Sequence, residues 1–557
     1  MTNNPIDFVI NRLYDVSKYT GGCSQSHLDL TSEKMRVPKT PAEAGLPPKF
    51  DHWRSGQSEA IELCLKREKR VTALCAPTGF GKTAIPLSIA ALSGEPTLVV
   101  TANKGLQDQY GQEGKAMGIA DLRGRDNYPC KLRPDYTCNE GYAARCPFRM
   151  NVECPYAMAE MAMATARLGV TNYSKWTAGG RVSPALGHFT CVVFDEAHHA
   201  PNAIANAMQV TLSSREIEDT LEVQFPKGMD AEDMVAWRAW ASNHTAAVET
   251  QVARALETIT SNADPKPAWV RHYTHMRNLL RKFSILRMAR AADWVVEQVE
   301  QGYQFDPIRT ARYGESSLFM GVEWIVMMSA TLHPKTLALS GLKPDYYRFE
   351  EFNSDFDPQR SPVYYIPTQR VDARQPDNSQ LWLLFDQIAA RRRDRKGVAH
   401  TVSFDRQKEL VENSRFRPFM LINKRGIPTT RTVDRFRASG PGTILVTPSV
   451  GEGYDFADDQ CRWQFLCKIP FLPPSKIFKA REAEDKEYRG YNAIQDIVQQ
   501  IGRGMRSKTD WCENFIGDRH MDWFWNRNKH LAPNWFHQFL IQTYRVPLPL
   551  APDDSNY

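Results

Sequence analysis

VTALCAPTGFGKTAIPLSIAALS, Val71 to Ser93, joins three kinds of segment without a gap. An apolar run (VTALCA, 71–76) comes first, APTGFGKT (Ala76–Thr83) follows, and TAIPLSIAALS has the look of a helix. An apolar run without polar alternation reads as a strand buried on both faces, the mark of a parallel sheet covered by helices. A small residue, four others and then Gly-Lys-Thr, set between strand and helix, is the pattern of a phosphate-binding loop. In it Thr78, Gly79 and Gly81 let backbone N–H groups close around phosphate oxygens. Lys82 reaches the β- and γ-phosphates, and the Thr83 hydroxyl suits Mg²⁺. The plain alternative is a glycine turn with no ligand, which leaves the matching flanks on both sides unexplained.

Five more runs of this kind follow: TLVVTA (97–102), FTCVVFDEA (189–197), WIVMMSATL (324–332), GVAHTVSF (397–404) and GTILVTPS (442–449). Ligands of such sheets bind at the carboxyl ends of the strands, so the polar residues closing each run carry the chemistry. Asp195 and Glu196 close the second. One carboxylate at a strand tip can hold the metal that bridges two phosphates, and its neighbour can orient or deprotonate an attacking water. Asp195 suits the metal and Glu196 the water. His198 is a candidate for linking the site to other parts, against the plainer reading of a hydrogen-bonded structural histidine. His199 has no assigned role.

In order along the chain, APTGFGKT, DEAH (195–198) and SATL (329–332) resemble motifs I, II and III of superfamily 2 helicases. VTPSVGEGYDF (446–456) is similar to motif V, and QQIGRGMRS (499–507) fits the motif VI pattern through Gln499, Gly502, Arg503 and Arg506. WRSGQ places Arg54 and Gln57 where the family reads adenine, and TANKGLQDQ (101–109) resembles motif Ia, which faces nucleic acid. Across residues 50 to 520 the order resembles the XPD/Rad3/DinG branch, most closely a short DinG-type helicase without an exonuclease domain. The resemblance implies an α/β protein with two RecA-like parallel-sheet lobes. ATP and Mg²⁺ would lie between them, with Arg503 and Arg506 as arginine fingers and Glu452, Gly453, Asp455 and Gln499 at the nucleotide. Ser329, Ala330 and Thr331, with His198, would link nucleotide and strand.

CKLRPDYTCNEGYAARCPFRMNVEC, Cys130 to Cys154, carries four of the chain's 11 cysteines, each pair of neighbours separated by seven residues. Four thiolates from one compact segment can hold an iron–sulfur cluster or a tetrahedral zinc ion. Zinc sites usually pair their ligands two to four residues apart, and these gaps give no such pair. Even spacing alone leaves iron, zinc and four buried thiols all open. The branch carries a cysteine-rich insertion at this place, preceded by an entry like GRDNYPC (124–130), and this implies Cys130, Cys138, Cys146 and Cys154 as ligands of a [4Fe–4S] cluster. Tyr128, Tyr136, Tyr142, Phe148 and Tyr156 alternate with Arg125, Lys131, Arg133, Arg145 and Arg149, a mixture that suits bases and phosphates of a single strand. Six basic against four acidic residues in 123–157 is a weak excess, so packing of the small module explains part of the pattern equally well.

These readings predict lobe 1 over residues 1–119, 158–201 and 300–345, an iron–sulfur domain over 120–157, a small helical arch over 202–299 and lobe 2 over 346–557. Helical spacing is expected in AAVETQVARALETI and in LLRKFSILRMARAADWVVEQV, and LWLLFDQIAARRRDRKG reads as an amphipathic helix whose final cations suit the helix dipole. Residues 20–50, rich in Gly, Ser, Thr and Pro, and the tail APDDSNY are the expected loose segments.

Composition frames the rest. Apolar content of 42% and charged content of 24% are ordinary for a soluble multidomain chain, and the formal charge of +6 permits a nucleic-acid partner without demanding one. No apolar run approaches the roughly 20 residues that cross a bilayer, and the start lacks a secretory pattern. The expectation is an intracellular, cytoplasmic protein, not secreted and without a membrane partner. The resemblance adds a monomer acting on single-stranded and forked DNA, with RNA–DNA hybrids as a further class, and 5′→3′ travel. Rival readings are a single-strand translocase that strips proteins or RNA from DNA, an RNA helicase, and a non-catalytic strand-binding subunit.

Overall fold

The computed structural model describes residues 36–144, 146–150, 153–221, 233–262, 265–371, 377–427, 429–448, 456–505, 507 and 509–550. From the opening strand the chain lays down β1 (Val71–Cys75), helix α1 (Ala84–Ser93), β2 (Thr97–Thr101), helix α2 (Lys104–Glu113) and the short β3 (Ala120–Asp121). A small excursion bearing the four cysteines and helix α3 (Cys138–Ala143) precedes β4 (Leu168–Asn172) and β5 (Cys191–Asp195). A larger excursion contains β6 (Val210–Ser213), the long helices α4 (Met234–Thr260) and α5 (Pro267–Met288), β7 (Trp294–Val299) and β8 (Gly302–Pro307). The chain then returns with β9 (Trp324–Ser329) and β10 (Tyr347–Glu351).

The first sheet has the order β10-β1-β9-β5-β2-β4-β3, with every neighbouring pair parallel. β1, β2, β5 and β9 are buried at every residue, as their largely apolar runs without polar alternation require. Register pairs Cys75 with Ser329 and Asp195 with Met328, so the loops after β1, β5 and β9 leave the sheet at one edge.

The second lobe adds β11 (Val363–Gln369), helix α6 (Ser379–Arg391), β12 (Gly397–His400), β13 (Met420–Ile422), β14 (Ile444–Thr447), β15 (Trp463–Leu466), helix α7 (Tyr488–Ile501), β16 (Glu513–Asp518) and β17 (Leu540–Gln542). Its sheet, β13-β14-β12-β15-β16-β11-β17, is again parallel throughout. Two all-parallel sheets, each covered on both faces, are the architecture that the apolar runs predicted.

Three expectations need correction. DWVVEQV is not the end of a helix: α5 stops at Met288 and WVVEQV forms β7, the outer strand of an antiparallel sheet β6-β8-β7 at the root of the arch. Trp294 and Val296 turn into the arch core against Trp237 and Phe305 while Val295 and Glu297 turn away, and this period-two pattern is what β8 selects. Of the stretch 20–50 expected to be loose, residues 36–50 are packed, while residues 20–35 and the tail 551–557 lie outside the described residues. Ala44 and Leu46 are buried beside Ile61 and Ile85, and the Trp53 indole N–H donates to the Pro38 carbonyl at 2.8 Å. The basic run after α6 is held by specific partners more than by the helix dipole. Arg392 forms a fully buried ion pair with Glu513, Arg395 donates to the Leu550 carbonyl at 2.7 Å, and Lys396 donates to the carbonyls of Phe436 and Arg437 at 3.0 Å each. Among the described residues, no helix is long and apolar enough to cross a membrane.

Candidate functional site

The loop between β1 and α1 carries Gly79 and Gly81 at φ +78° and +77°, a backbone region costly for any other residue. Space forbids a side chain as well: a Cβ on Gly79 would lie 1.9 Å from the Phe356 ring, and one on Gly81 would lie 2.3 Å from the Gln57 amide. Gln57 is only 3% exposed, and its amide braces this loop. Its oxygen accepts the Arg54 N–H at 2.7 Å, and its nitrogen donates to the carbonyls of Phe80 and Gly81 at 2.8 and 3.1 Å. Arg54, which donates to the Gly79 carbonyl at 2.5 Å, faces the cleft.

That cleft is a cavity of about 380 Å³ to which both lobes contribute. Thr78, Gly79, Gly81, Lys82, Thr83, Asp195, Glu196 and His198 line it from lobe 1, and Gln499, Gly502 and Arg503 from the end of α7 in lobe 2. Lys82 folds back onto the carbonyls of Ala76 and Pro77 at 3.2 and 3.4 Å. A Cβ on Gly502 would touch Thr78 at 3.0 Å, so the lobe 2 segment lies directly on the loop between β1 and α1. Arg503 is 7% exposed and aligned along the same cavity.

The two carboxylates differ sharply. Asp195 is 4% exposed, with one oxygen accepting the Glu196 N–H at 2.9 Å and the other the Tyr110 hydroxyl at 3.1 Å. Burial, reinforced by the neighbouring Glu196 charge, pushes its carboxyl above the ordinary range. Burial also acts on Glu196, but the His198 hydrogen bond and the Lys82 charge outweigh it and hold that carboxyl low. The charged form is therefore favoured more strongly at Glu196 than at Asp195. The Glu196 oxygen accepts from Ser329 at 3.1 Å and lies 3.3 Å from His198. His198 lies 2.7 Å from the Ser329 hydroxyl, and Gln499 donates to Thr331 at 3.0 Å and approaches His198 at 3.5 Å. Glu196, Ser329, His198, Gln499 and Thr331 thus form one polar chain from lobe 1 to lobe 2. Ala330 is buried behind it, its carbonyl accepting the Trp535 indole N–H at 3.0 Å. Glu452, Gly453, Asp455 and Arg506 lie outside the described residues.

Tyr110, Leu106, Gln109, Glu113 and Phe50 also border or support this cleft and were not singled out from the sequence. For Tyr110 the available signal was the helix after TANKGLQDQ, where an aromatic ring three residues from Gln107 shares its inner face. A hydroxyl aimed at a distant carboxylate leaves no trace in local spacing.

Cys130, Cys138, Cys146 and Cys154 line one cavity of about 480 Å³, together with Arg125, Tyr142 and Tyr156. Among the described residues, no three His, Cys, Asp or Glu close on a single metal ion. Burial, with the nearby Cys154 sulfur, pushes the Cys138 thiol up to about 12. Helix α3 begins at Cys138 and is fixed by a reciprocal cap, in which Glu140 N–H donates to the Thr137 hydroxyl at 3.2 Å and Thr137 N–H to Glu140 at 2.8 Å. A Cβ on Gly141 would lie 2.5 Å from the Cys130 sulfur, so that thiol is seated against bare backbone. The Arg125 guanidinium lies over the rings of Tyr142 and Tyr156, at 3.8 and 4.8 Å from their centroids. Arg271 of α5 donates to Glu140 at 2.6 Å and Tyr136 to the Pro265 carbonyl at 3.1 Å, so the arch rests on this module.

Between the cleft and the cysteine module runs a groove of about 780 Å³, bordered by Asn103, Lys104, Arg125, Asn127, Tyr142 and Lys175 among others.

A helicase C-terminal domain matches residues 393–539, and a domain described as the type III restriction enzyme res subunit matches residues 51–226. The XPD helicase subunit of the general transcription and DNA repair factor IIH of Dictyostelium discoideum is 29% identical over 113 residues, which is 18% of this chain. That stretch spans 14% of the relative's own length. A solved XPD helicase superposes with a TM-score of 0.60 at 14% identity, covering 88% of this chain and 99% of the other. A solved S. tokodaii Xpd4 gives 0.58 at 14%, covering 88% and 100%. The two parallel-sheet lobes share the fold of the solved XPD helicases, and the two domain matches fall on the first and second halves of the chain.

Proposed function

We propose that the protein is an ATP-dependent DNA helicase that travels 5′→3′ along single-stranded DNA and separates forked or tailed duplexes. The observation that carries this reading is the cleft itself, where Lys82, Asp195 and Glu196 of one lobe face Arg503 of the other across a single cavity. Lys82, drawn off its own carbonyls, binds the β- and γ-phosphates. Glu196, ionised and oriented by Ser329 and His198, accepts the proton of the attacking water, and Arg503 neutralises charge that develops as the γ-phosphoryl leaves. Thr83 and Asp195 would hold Mg²⁺, which screens the phosphate oxygens. Hydrolysis is then most favoured when the lobes are closed, and the polar chain to Gln499 gives lobe 2 a direct link to the state of Glu196.

Cys130, Cys138, Cys146 and Cys154 would hold a [4Fe–4S] cluster. Four cysteines lining one cavity of about 480 Å³ suit such a core, which would cross-link a module too small for a hydrophobic core of its own. Loading it would release the proton that burial keeps on the Cys138 thiol. Arg125 and Tyr142, at the junction of this cavity and the groove, give a strand a cation for phosphate and a ring for a base.

ATP turnover measured with and without single-stranded DNA tests the cleft. The wild type should be stimulated by DNA, and Lys82→Ala should remove turnover with both nucleic acid present and absent. Retained turnover in Lys82→Ala would overturn the assignment of this cleft.

A further inference from the structure

Helix α2 has three attachments. Its N-terminus, capped by Asn103 onto the Leu106 N–H at 3.0 Å, borders the groove through Asn103 and Lys104. Its middle is tied to the root of the cysteine module. The Gln107 amide donates to Asp121 at 2.5 Å and to the Leu122 carbonyl at 3.3 Å, and accepts from Asn172 at 3.0 Å. One turn further on, Tyr110 is 1% exposed and donates to the free oxygen of Asp195. The same helix also presents Leu106, Gln109 and Glu113 to the nucleotide cleft.

We infer that Tyr110 is a positioning residue that couples occupancy of the groove by a nucleic-acid strand to the orientation of the Asp195 carboxylate. The inference rests on the function proposed above. Asp195 has its other oxygen pinned by the Glu196 N–H at 2.9 Å, so the phenol fixes rotation of the carboxylate about the strand end. A rigid helix moves as a unit. A strand that draws on Asn103 and Lys104 therefore moves the phenol, and the face of Asp195 offered to a metal changes with it. Gln107 limits that motion to a small swing about the root of the module. Tyr173 supplies the internal comparison, since its hydroxyl donates to Asp195 too, at 3.3 Å, but to the backbone carbonyl.

The test compares wild type, Tyr110→Phe and Tyr173→Phe in ATP turnover, titrating Mg²⁺ with and without a saturating single-stranded oligonucleotide. In the wild type the strand should lower the Mg²⁺ concentration needed for half-maximal rate. In Tyr110→Phe that concentration should rise by about tenfold and become the same with and without strand, in keeping with the usual weight of a ligand's supporting hydrogen bond. Tyr173→Phe should keep the wild-type response. If Tyr110→Phe retains the strand-dependent shift, or if Tyr173→Phe loses it equally, the coupling is overturned while the helicase reading stands. A wild type without any response to strand would overturn both.

Discussion

Glu196 adopts φ +49°, an uncommon conformation for a residue with a side chain, and it does so where the carboxylate meets Ser329 and His198. The backbone turn aims the side chain into the cleft and away from Asp195, so two adjacent acids serve different ends. Glu196→Gln keeps the shape and the Ser329 contact but removes the proton acceptor. ATP binding should persist while turnover falls at least about 100-fold, as is usual for loss of a general base; a loss below threefold or so would contradict the role. His400 makes a separate prediction. It is buried on β12 against the Gln464 amide at 3.0 Å, and burial, with the charge of Arg503 adding to it, pushes its imidazole down to about 4. The unfolded chain takes up this proton from about pH 6.5 downward and the folded one only near pH 4, so stability falls as pH falls through that window and levels off below it. The shift corresponds to about 3 kcal/mol. Urea unfolding of lobe 2 at pH 7 and pH 4 should show that extra loss in the wild type and not in His400→Gln. Equal losses in both would contradict it.

At the scale of elements, the runs legible in the sequence were those whose burial on both faces is encoded locally. β1, β2, β5, β9, β12 and β14 were read within a few residues because apolar residues dominate them without polar alternation. β15 and β16 were missed because they are buried with polar residues. Gln464, Glu513, Asn514 and Asp518 are all inside, and each is tolerated only through a partner: Glu513 through Arg392, Asn514 through Gln464, Asp518 through the N–H groups of Val371 and Ile469. Such partners lie tens of residues away and leave no local pattern. The same holds for β7, whose strand state depends on β8, and for residues 36–50, which are ordered by packing on lobe 1. The cysteine module lies between these cases: its spacing was visible, whereas the convergence on one cavity needed the fold. Cys138→Ser should strip iron and visible absorption from anaerobically purified protein and make residues 120–157 markedly more sensitive to protease. A wild type that is colourless and iron-free, or that carries zinc instead, would contradict the cluster.

The whole molecule is joined by more than its cleft. Lys335 of lobe 1 pairs with Asp485 and Glu487 of lobe 2 at 2.8 and 2.7 Å, and Glu487 also meets His530 at 2.8 Å. Arg309, at the arch root, bridges Asp293 and the lobe 2 residue Glu484 at 2.9 Å each, so arch and second lobe share a contact outside the cleft. A movement of lobe 2 would therefore reach the arch through Arg309 as well as through lobe 1, and the arch in turn rests on the cysteine module through Arg271. The order of motifs made the two lobes readable from sequence. These lobe-to-arch ties were not, because each is one charged side chain among many on surfaces that sequence alone treats as solvated. The most direct measurement of the central claim is ATP-dependent strand separation on two matched duplexes, one with a 5′ single-stranded tail and one with a 3′ tail. The account predicts separation from the 5′ tail alone, abolished by Lys82→Ala. Separation from the 3′ tail alone, or from neither while DNA-stimulated ATP turnover persists, would contradict it.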